Sequence, residues 1–184
     1  MPQENPIFVM LVDEKDNPIG TMEKLAAHQN GATLHRAFSV CLFNSKGETL
    51  MQQRAMHKYH SKGKWSNTCC SHPMVGESIL DASRRRVREE LGIECGELQD
   101  AFSFIYKVEV GDGLTEHEYD HVVFGRYDGP VRPNPEEVMD YKWAPLEELQ
   151  RDIKSHPENY TGWLRIAIDR IVAEGRKFAK LHPD

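Results

Sequence analysis

The segment that most restricts what this chain can become runs from Ser78 to Gly92. Leu80, Val87 and Leu91 recur on one side at helical spacing, and Gly92 stands at the usual stop position, so Ser78–Leu91 is expected to be a helix. Its charges run against what helix stability favours. Arg84, Arg85 and Arg86 precede Glu89 and Glu90, whereas the helix dipole prefers acids first and bases last. Arg86 and Glu90 are four apart and share a face. On this helix alone a solvated charge ladder explains the pattern as well as a site would. The alternative is a site that takes an anion at Arg86 and a hard cation at Glu90, both of which a diphosphate with a bridging Mg²⁺ would satisfy.

Charge elsewhere points the same way. The net charge of −6 disfavours nucleic acid as a general partner. Yet from Thr49 to Gly76 there is no Asp or Glu, while Arg54, Lys58, Lys62 and Lys64 all lie there. A cationic strip on an acidic chain suggests a bound anion, with a chance solvated loop as the plain alternative. A length of 184 residues suits one domain, 1–184, with one core. No apolar run approaches the roughly twenty residues of a membrane span, and Met1–Ile7 does not read as a charged-then-apolar leader. Four cysteines, two of them adjacent, make a poor disulfide framework, so a reduced, cytoplasmic setting is expected.

Strand signals surround the central helix. Ile7–Val12 reads as a strand ending at the turn Asp16-Asn17-Pro18. Leu34–Phe43 and Leu50–Arg54 read as two strands joined through Asn44-Ser45-Lys46-Gly47 in a hairpin-type connection. His57–Lys64 reads as loop. Phe102–Val110 and His117–Tyr127 form a further pair around Gly111-Asp112-Gly113, and Val138–Trp143 is another strand. Leu146–Lys154 and Trp163–Lys180 are expected helices, the second with an apolar stripe of Leu164, Ile168, Ile171 and Val172. Strands before and after a helix, then terminal helices, give α/β with a mixed sheet.

Three groups of residues could carry chemistry. In an extended Cys69-Cys70-Ser71-His72 segment, Cys70 and His72 share one face and Cys69 and Ser71 the other. The thiol could be a nucleophile toward an acyl group, half of a zinc site, or a small buried hydrophobe. His28, His35 and His72, with Glu116 and Glu118 about 6.7 Å apart along one face of a strand, could surround one divalent ion. Taken singly, each histidine is more often structural. Trp163, as a lone aromatic, is more often core, although an indole face also attracts a desolvated cation.

Together these residues carry a resemblance. Gly76, Glu77 and the Arg84–Glu90 helix resemble the Nudix box, with Ser71 where the box has its first glycine and Arg86 where it has its first helix glutamate. Asn67-Thr68-Cys69-Cys70-Ser71-His72-Pro73 resembles the Cys-x-His-Pro motif of type I isopentenyl-diphosphate isomerases. Ala26-Ala27-His28, Leu34-His35, and Tyr106 ahead of Glu116-His117-Glu118 resemble other signatures of that family. The resemblance runs from Ile7 to about Trp163. It implies a Nudix-like α/β/α fold with additional terminal helices, and reversible conversion of isopentenyl to dimethylallyl diphosphate. It further implies Cys70 and Glu118 as the acid–base pair, Tyr106 as a partner of the carboxyl group, and Trp163 beside the carbocation. The implied metal ligands are His28, His35, His72, Glu116 and Glu118 for a Mn²⁺, Mg²⁺ or Zn²⁺ ion, and Glu90 for a Mg²⁺ bridging the diphosphate. Lys24, Arg54, Lys58 and Arg86 would hold the diphosphate itself. The expected partner is a C5 isoprenoid diphosphate, without nucleic acid or membrane, on a monomer or weak dimer. The other readings are a Nudix diphosphate hydrolase using Glu77, Glu89 and Glu90, and a non-catalytic metal- or anion-binding module.

Overall fold

One strand organises the sheet. The structure, a computed structural model, describes residues 6–181, so most of the Met1–Ile7 segment lies outside the described residues. In chain order the elements are β1 (Phe8–Val12), β2 (Pro18–Glu23), α1 (Lys24–Ala27), β3 (His35–Phe43), β4 (Glu48–Arg54), β5 (Trp65–Ser66) and β6 (Cys69–Ser71). Then come α2 (Ile79–Leu91), β7 (Leu98–Gly111), β8 (Leu114–Arg126), β9 (Val138–Pro145), α3 (Leu146–Ser155), one 3₁₀ turn (Pro157–Asn159) and α4 (Gly162–Leu181). β3 is buried along almost its whole length, as its near-continuous apolar sequence requires. On one edge it pairs in parallel with β8, from His35↔Glu118 to Phe43↔Arg126. Its other edge is shared by β1 at Leu11↔His35, β6 at Ser39↔Cys70, and β4 at Phe43↔Thr49.

The expected β3–β4 hairpin needs correction. The Asn44–Gly47 turn closes, with Asn44 N–H bonded to Glu48 O at 3.0 Å, but the two strands then share only Phe43↔Thr49 and part. β4 instead pairs antiparallel with β9 from Glu48↔Pro145 to Arg54↔Val138, a partner far away in sequence. β2 and α1 had no sequence signal. β2 is exposed at four of its six positions and lacks the apolar alternation that marks a half-buried strand.

Alternation along the strands builds two cores. Phe38, Val40, Leu42, Leu50, Cys69 and Val123 face Val87 and Leu91 of α2. Cys41, Phe43, Met51, Val122 and Phe124 face Leu149 and Ile153 of α3 and Leu164, Ile168 and Ile171 of α4. The result is helix, sheet, helix. Each fully buried Leu or Ile in these layers contributes about 1.5–3 kcal/mol relative to exposure. α2 starts where Ser78 Oγ accepts from Asp81 N–H at 3.1 Å and stops at Gly92, whose φ is 63°. A Cβ at Gly92 would also lie 2.9 Å from Arg132 O, so glycine is required there on two counts. No helix among the described residues is long and apolar enough to cross a membrane.

Candidate active site

Register brings the expected residues together. Parallel pairing sets His35 beside Glu118, antiparallel pairing sets Tyr106 opposite Glu118, and β6 sets Cys70 beside Ser39. Because strand side chains alternate, Glu116, Glu118 and Asp120 then project to one face, the face that carries Tyr106 and α4. His28 caps the C-terminus of α1, and its carbonyl accepts from Thr115 N–H at 2.9 Å, which ties it to the start of β8. Lys24, Arg54, Lys58, Arg86, Cys70, His72, Tyr106, Glu116, Glu118 and Trp163 all line one cavity.

At one wall of that cavity the donor atoms of three histidines and one glutamate converge. His28 Nδ1 meets Lys24 O at 2.7 Å, and His35 Nδ1 meets Thr33 O at 2.7 Å. A carbonyl only accepts, so both Nδ1 atoms carry the hydrogen and both Nε2 atoms present lone pairs. His35 Nε2 and His72 Nε2 face each other at 3.1 Å, and Glu118 Oε1 lies 2.9 Å from His72 Nε2. His28 Nε2 is buried with no hydrogen-bond partner among the described residues, 3.8 Å from Glu118 Oε1. These four donor atoms all lie within 4.8 Å of one another. Converging lone pairs and an orphaned buried nitrogen fit a divalent cation with nitrogen and oxygen ligands. Glu116 stands outside this foursome: its Oε2 accepts from Tyr106 Oη at 3.0 Å and its Oε1 lies 3.5 Å from His60 Nε2.

The two carboxyl groups are driven apart. Burial pushes Glu116 well above the usual carboxylate range, and the neighbouring Glu118 charge adds to the push. Burial acts on Glu118 too, but the His28, His35 and His72 imidazoles around it outweigh burial and hold Glu118 well below that range. Tyr106 Oη also lies 2.6 Å from Glu118 Oε2, so its single hydrogen is shared between the two acids and sits nearer Glu118. His72 is pulled down to about 3, by burial against the opposing pull of Glu118, and is neutral as a ligand must be.

Cys70 occupies another wall. Its Sγ donates to Asn67 Oδ1 at 2.9 Å, receives Trp163 Nε1–H at 2.9 Å, and lies 3.4 Å from Ser39 Oγ. Trp163 Nε1 also reaches Asn67 Oδ1 at 3.2 Å, and the Arg54 guanidinium sits 5.5 Å from the indole centroid. Burial, and behind it the Asp120 carboxyl, push the thiol upward past the opposing effect of its contacts with Ser39, Asn67 and Ser66, so Cys70 keeps its proton at neutral pH. Cys69 points to the opposite core and is completely buried. The parity reading of the two thiols holds.

Cations gather at the same cavity. Burial lowers Lys24 from its ordinary value, and Lys58, Arg86 and Arg54 add repulsion. Arg54 Nε and Arg86 Nε are buried without hydrogen-bond partners among the described residues. Such crowding suits a polyanion. Lys62 and Lys64, part of the same acid-free strip, do not line this cavity. Glu90 does not line it either: its oxygens accept from Arg86 Nη2 at 2.5 Å and Gln52 Nε2 at 2.8 Å. Glu77 is held by Arg85 in two bonds of 2.7 and 2.8 Å, and Glu89 by Arg86 at 2.7 Å. The three carboxylates of the hydrolase reading are therefore each engaged by an arginine.

Sequence reasoning passed over Tyr59, His60 and the role of Asn67. His60 lies in a loop whose only signal was its lack of acids. Burial first, then Arg54, hold it down to about 2.

Similarity to known proteins agrees with this geometry. Residues 33–164 match the NUDIX domain family. The chain is 53% identical over 165 residues to isopentenyl-diphosphate Delta-isomerase 2 of Aromatoleum aromaticum, covering 90% of this chain and 86% of that one. It is 47% identical to the isopentenyl-diphosphate Delta-isomerase of Pectobacterium atrosepticum, covering 89% and 90%. Among solved structures, DR0079 from Deinococcus radiodurans superposes with a TM-score of 0.72 at 23% identity, over 89% of this chain and 98% of that one, which supports the fold. With a Nudix domain across most of its length and relatives this similar, the chain belongs to the Nudix family, in the branch that contains the isopentenyl-diphosphate Delta-isomerases.

Proposed function

We propose that this protein interconverts isopentenyl diphosphate and dimethylallyl diphosphate. A proton adds to the terminal alkene carbon, a tertiary cation forms at the branched carbon, and the neighbouring methylene loses a proton to give the internal double bond. The diphosphate stays attached throughout. The observation that carries this reading is the placing of Cys70 and Glu118 on one cavity whose other lining includes Lys24, Arg54, Lys58 and Arg86.

Cys70 and Glu118 form the acid–base pair, each donating in one direction of a reversible reaction and accepting in the other. Tyr106 Oη, bonded to both Glu116 and Glu118, holds the carboxyl in place. Trp163 does two things: its N–H fixes the Cys70 sulfur, and its indole face meets the developing cation. General acid–base catalysis contributes about 10²–10⁴. The rest of the acceleration comes from stabilising the cation and excluding water in a buried cavity. Lys24, Arg54, Lys58 and Arg86 anchor the diphosphate and so fix the C5 unit between the proton-transfer groups.

His28, His35, His72 and Glu118, with Glu116 adjacent, would hold a Mn²⁺, Mg²⁺ or Zn²⁺ ion, which supplies positive charge beside the Glu118 carboxyl. Glu90, engaged by Arg86 and Gln52, is the residue that would hold a Mg²⁺, which would supply positive charge toward the diphosphate. The protein acts in the cytoplasm as a monomer or weak dimer, with no nucleic-acid partner. Incubation of the metal-loaded protein with isopentenyl diphosphate and Mg²⁺ gives the allylic isomer with the diphosphate intact. Release of phosphate or pyrophosphate without allylic product would establish the hydrolase reading instead.

A further inference from the structure

Cys70 has a further polar neighbour that the proposed mechanism leaves unused. Besides Asn67 and Trp163, Ser39 Oγ stands 3.4 Å from the sulfur, and Ser39 Oγ donates to Asp120 Oδ2 at 2.7 Å. Ser39 is 5% exposed and Asp120 is 1% exposed. Asp120 Oδ1 has no hydrogen-bond partner among the described residues. A carboxyl group buried with one oxygen unsatisfied is costly, and the fold does not require it. The next positions on the same face of β8 are Val122 and Phe124, which pack into the α4-side core. An apolar residue at 120 would continue that row.

We propose that Ser39 and Asp120 are positioning residues for Cys70: Asp120 fixes the Ser39 hydroxyl, and Ser39 fixes the thiol in the cavity. This inference rests on the reading of Cys70 as a proton-transfer group. A cysteine has one side-chain torsion with three staggered wells, so fixing Sγ needs contacts on more than one side. Asn67 and Trp163 supply two contacts, and Ser39 supplies a third. Ser39 has a single hydroxyl hydrogen, and it is committed to Asp120, so toward the thiol Ser39 Oγ is an acceptor, a second one beside Asn67 Oδ1 for the one S–H. Without Asp120 that hydroxyl is free to turn, and its contact with the thiol is no longer defined. The Ser39↔Cys70 backbone pairing makes the contact a direct consequence of sheet register.

The test compares Ser39→Ala, Asp120→Asn and Asp120→Ala in the metal-loaded enzyme. It measures kcat, KM, bound metal, melting temperature, and the rate at which a neutral haloacetamide labels Cys70 by mass spectrometry. Displacements of this kind cost about tenfold to a hundredfold in rate. Ser39→Ala and Asp120→Ala lower kcat by about tenfold or more, leave KM and metal content near wild type, and change Cys70 labelling in parallel. Asp120→Asn keeps an oxygen that accepts from Ser39 and restores most of kcat. The proposal is overturned if Ser39→Ala lowers only the melting temperature, if the loss follows the bound metal, or if Asp120→Asn is as damaging as Asp120→Ala. Should Asp120→Ala fail to fold, Ser39→Ala, which removes one oxygen, carries the test. A wild type that does not isomerise would refute the functional reading, while the labelling rates would still decide whether Ser39 and Asp120 hold the thiol.

Discussion

Replacing Cys69 and Cys70 separately by Ala probes both the strand parity and the chemistry. Cys69 is completely buried against the α2 side, so its loss removes one sulfur from a packed layer. That costs about 1 kcal/mol, or about 2–4 °C in melting temperature for a chain of this size. Cys70→Ala removes the bond to Asn67, but no partner is orphaned. Trp163 Nε1 keeps Asn67 Oδ1 at 3.2 Å, Asn67 Oδ1 keeps Ser66 Oγ at 3.0 Å, and Ser39 keeps Asp120 at 2.7 Å. One net hydrogen bond is worth about 1 kcal/mol, so the two variants have similar stability. Their activities diverge. Cys69→Ala keeps turnover, whereas Cys70→Ala loses a proton-transfer group worth about 10²–10⁴ in rate and still binds the diphosphate. Melting scans, product formation by chromatography, and labelling by an electrophilic epoxide analogue of the substrate form the assay. Equal activity losses, retention of more than about a tenth of turnover by Cys70→Ala, or an adduct on Cys69 would refute the parity argument together with the catalytic assignment.

Tyr106→Phe removes the hydroxyl shared by Glu116 and Glu118, a charge-assisted bond worth about 1.5–3 kcal/mol, and lowers kcat about tenfold to a hundredfold; an unchanged kcat would mean that the carboxyl is held by other groups. Lys24→Ala and Arg86→Ala raise KM for the diphosphate more than they lower kcat in initial-rate assays, and the reverse split would place these cations at the reacting carbons. His72→Ala lowers tightly bound metal, and in the wild type metal affinity falls as pH drops because ligand imidazoles must be unprotonated; full occupancy in His72→Ala would remove it from the ligand set. His60 is held down to about 2 against an ordinary 6.5, so its contribution to stability is full above about 6.5 and is lost as pH falls toward 2, the unfolded chain taking the proton first. Urea midpoints of the metal-free protein therefore fall between pH 7 and pH 5, and His60→Phe shows a smaller fall; identical slopes would assign the acid sensitivity elsewhere.

What could be read in the sequence was local. Helix α2, with the Ser78 and Gly92 ends, and the faces of Cys69/Cys70 and Glu116/Glu118 follow from periods of 3.6 and 2 within short windows. What could not be read depends on distant pairing. β4 turns away from β3 because β9, some ninety residues later, offers it seven paired positions. β2 is a strand only because β1 pairs with it, since its own side chains are mostly exposed. Spacing alone did not require His28, His35 and His72 to converge; the β3–β8 register and the cap of α1 do that. The same register separates Glu116 from the four converging donors and gives it to Tyr106 and His60. His60 itself had no periodic signal, and Ser39 and Asp120 look like ordinary strand residues until β3, β6 and β8 are set side by side.

Turnover of isopentenyl diphosphate in D₂O, followed by proton and deuterium NMR, tests the proton-addition mechanism most directly. The mechanism through Cys70 and Glu118 places a solvent-derived deuteron in a methyl group of the allylic product, with both phosphates still attached. In Cys70→Ala that incorporation is lost. Cleavage of the diphosphate, or an allylic product formed without solvent hydrogen by a Cys70→Ala protein at wild-type rate, would contradict it.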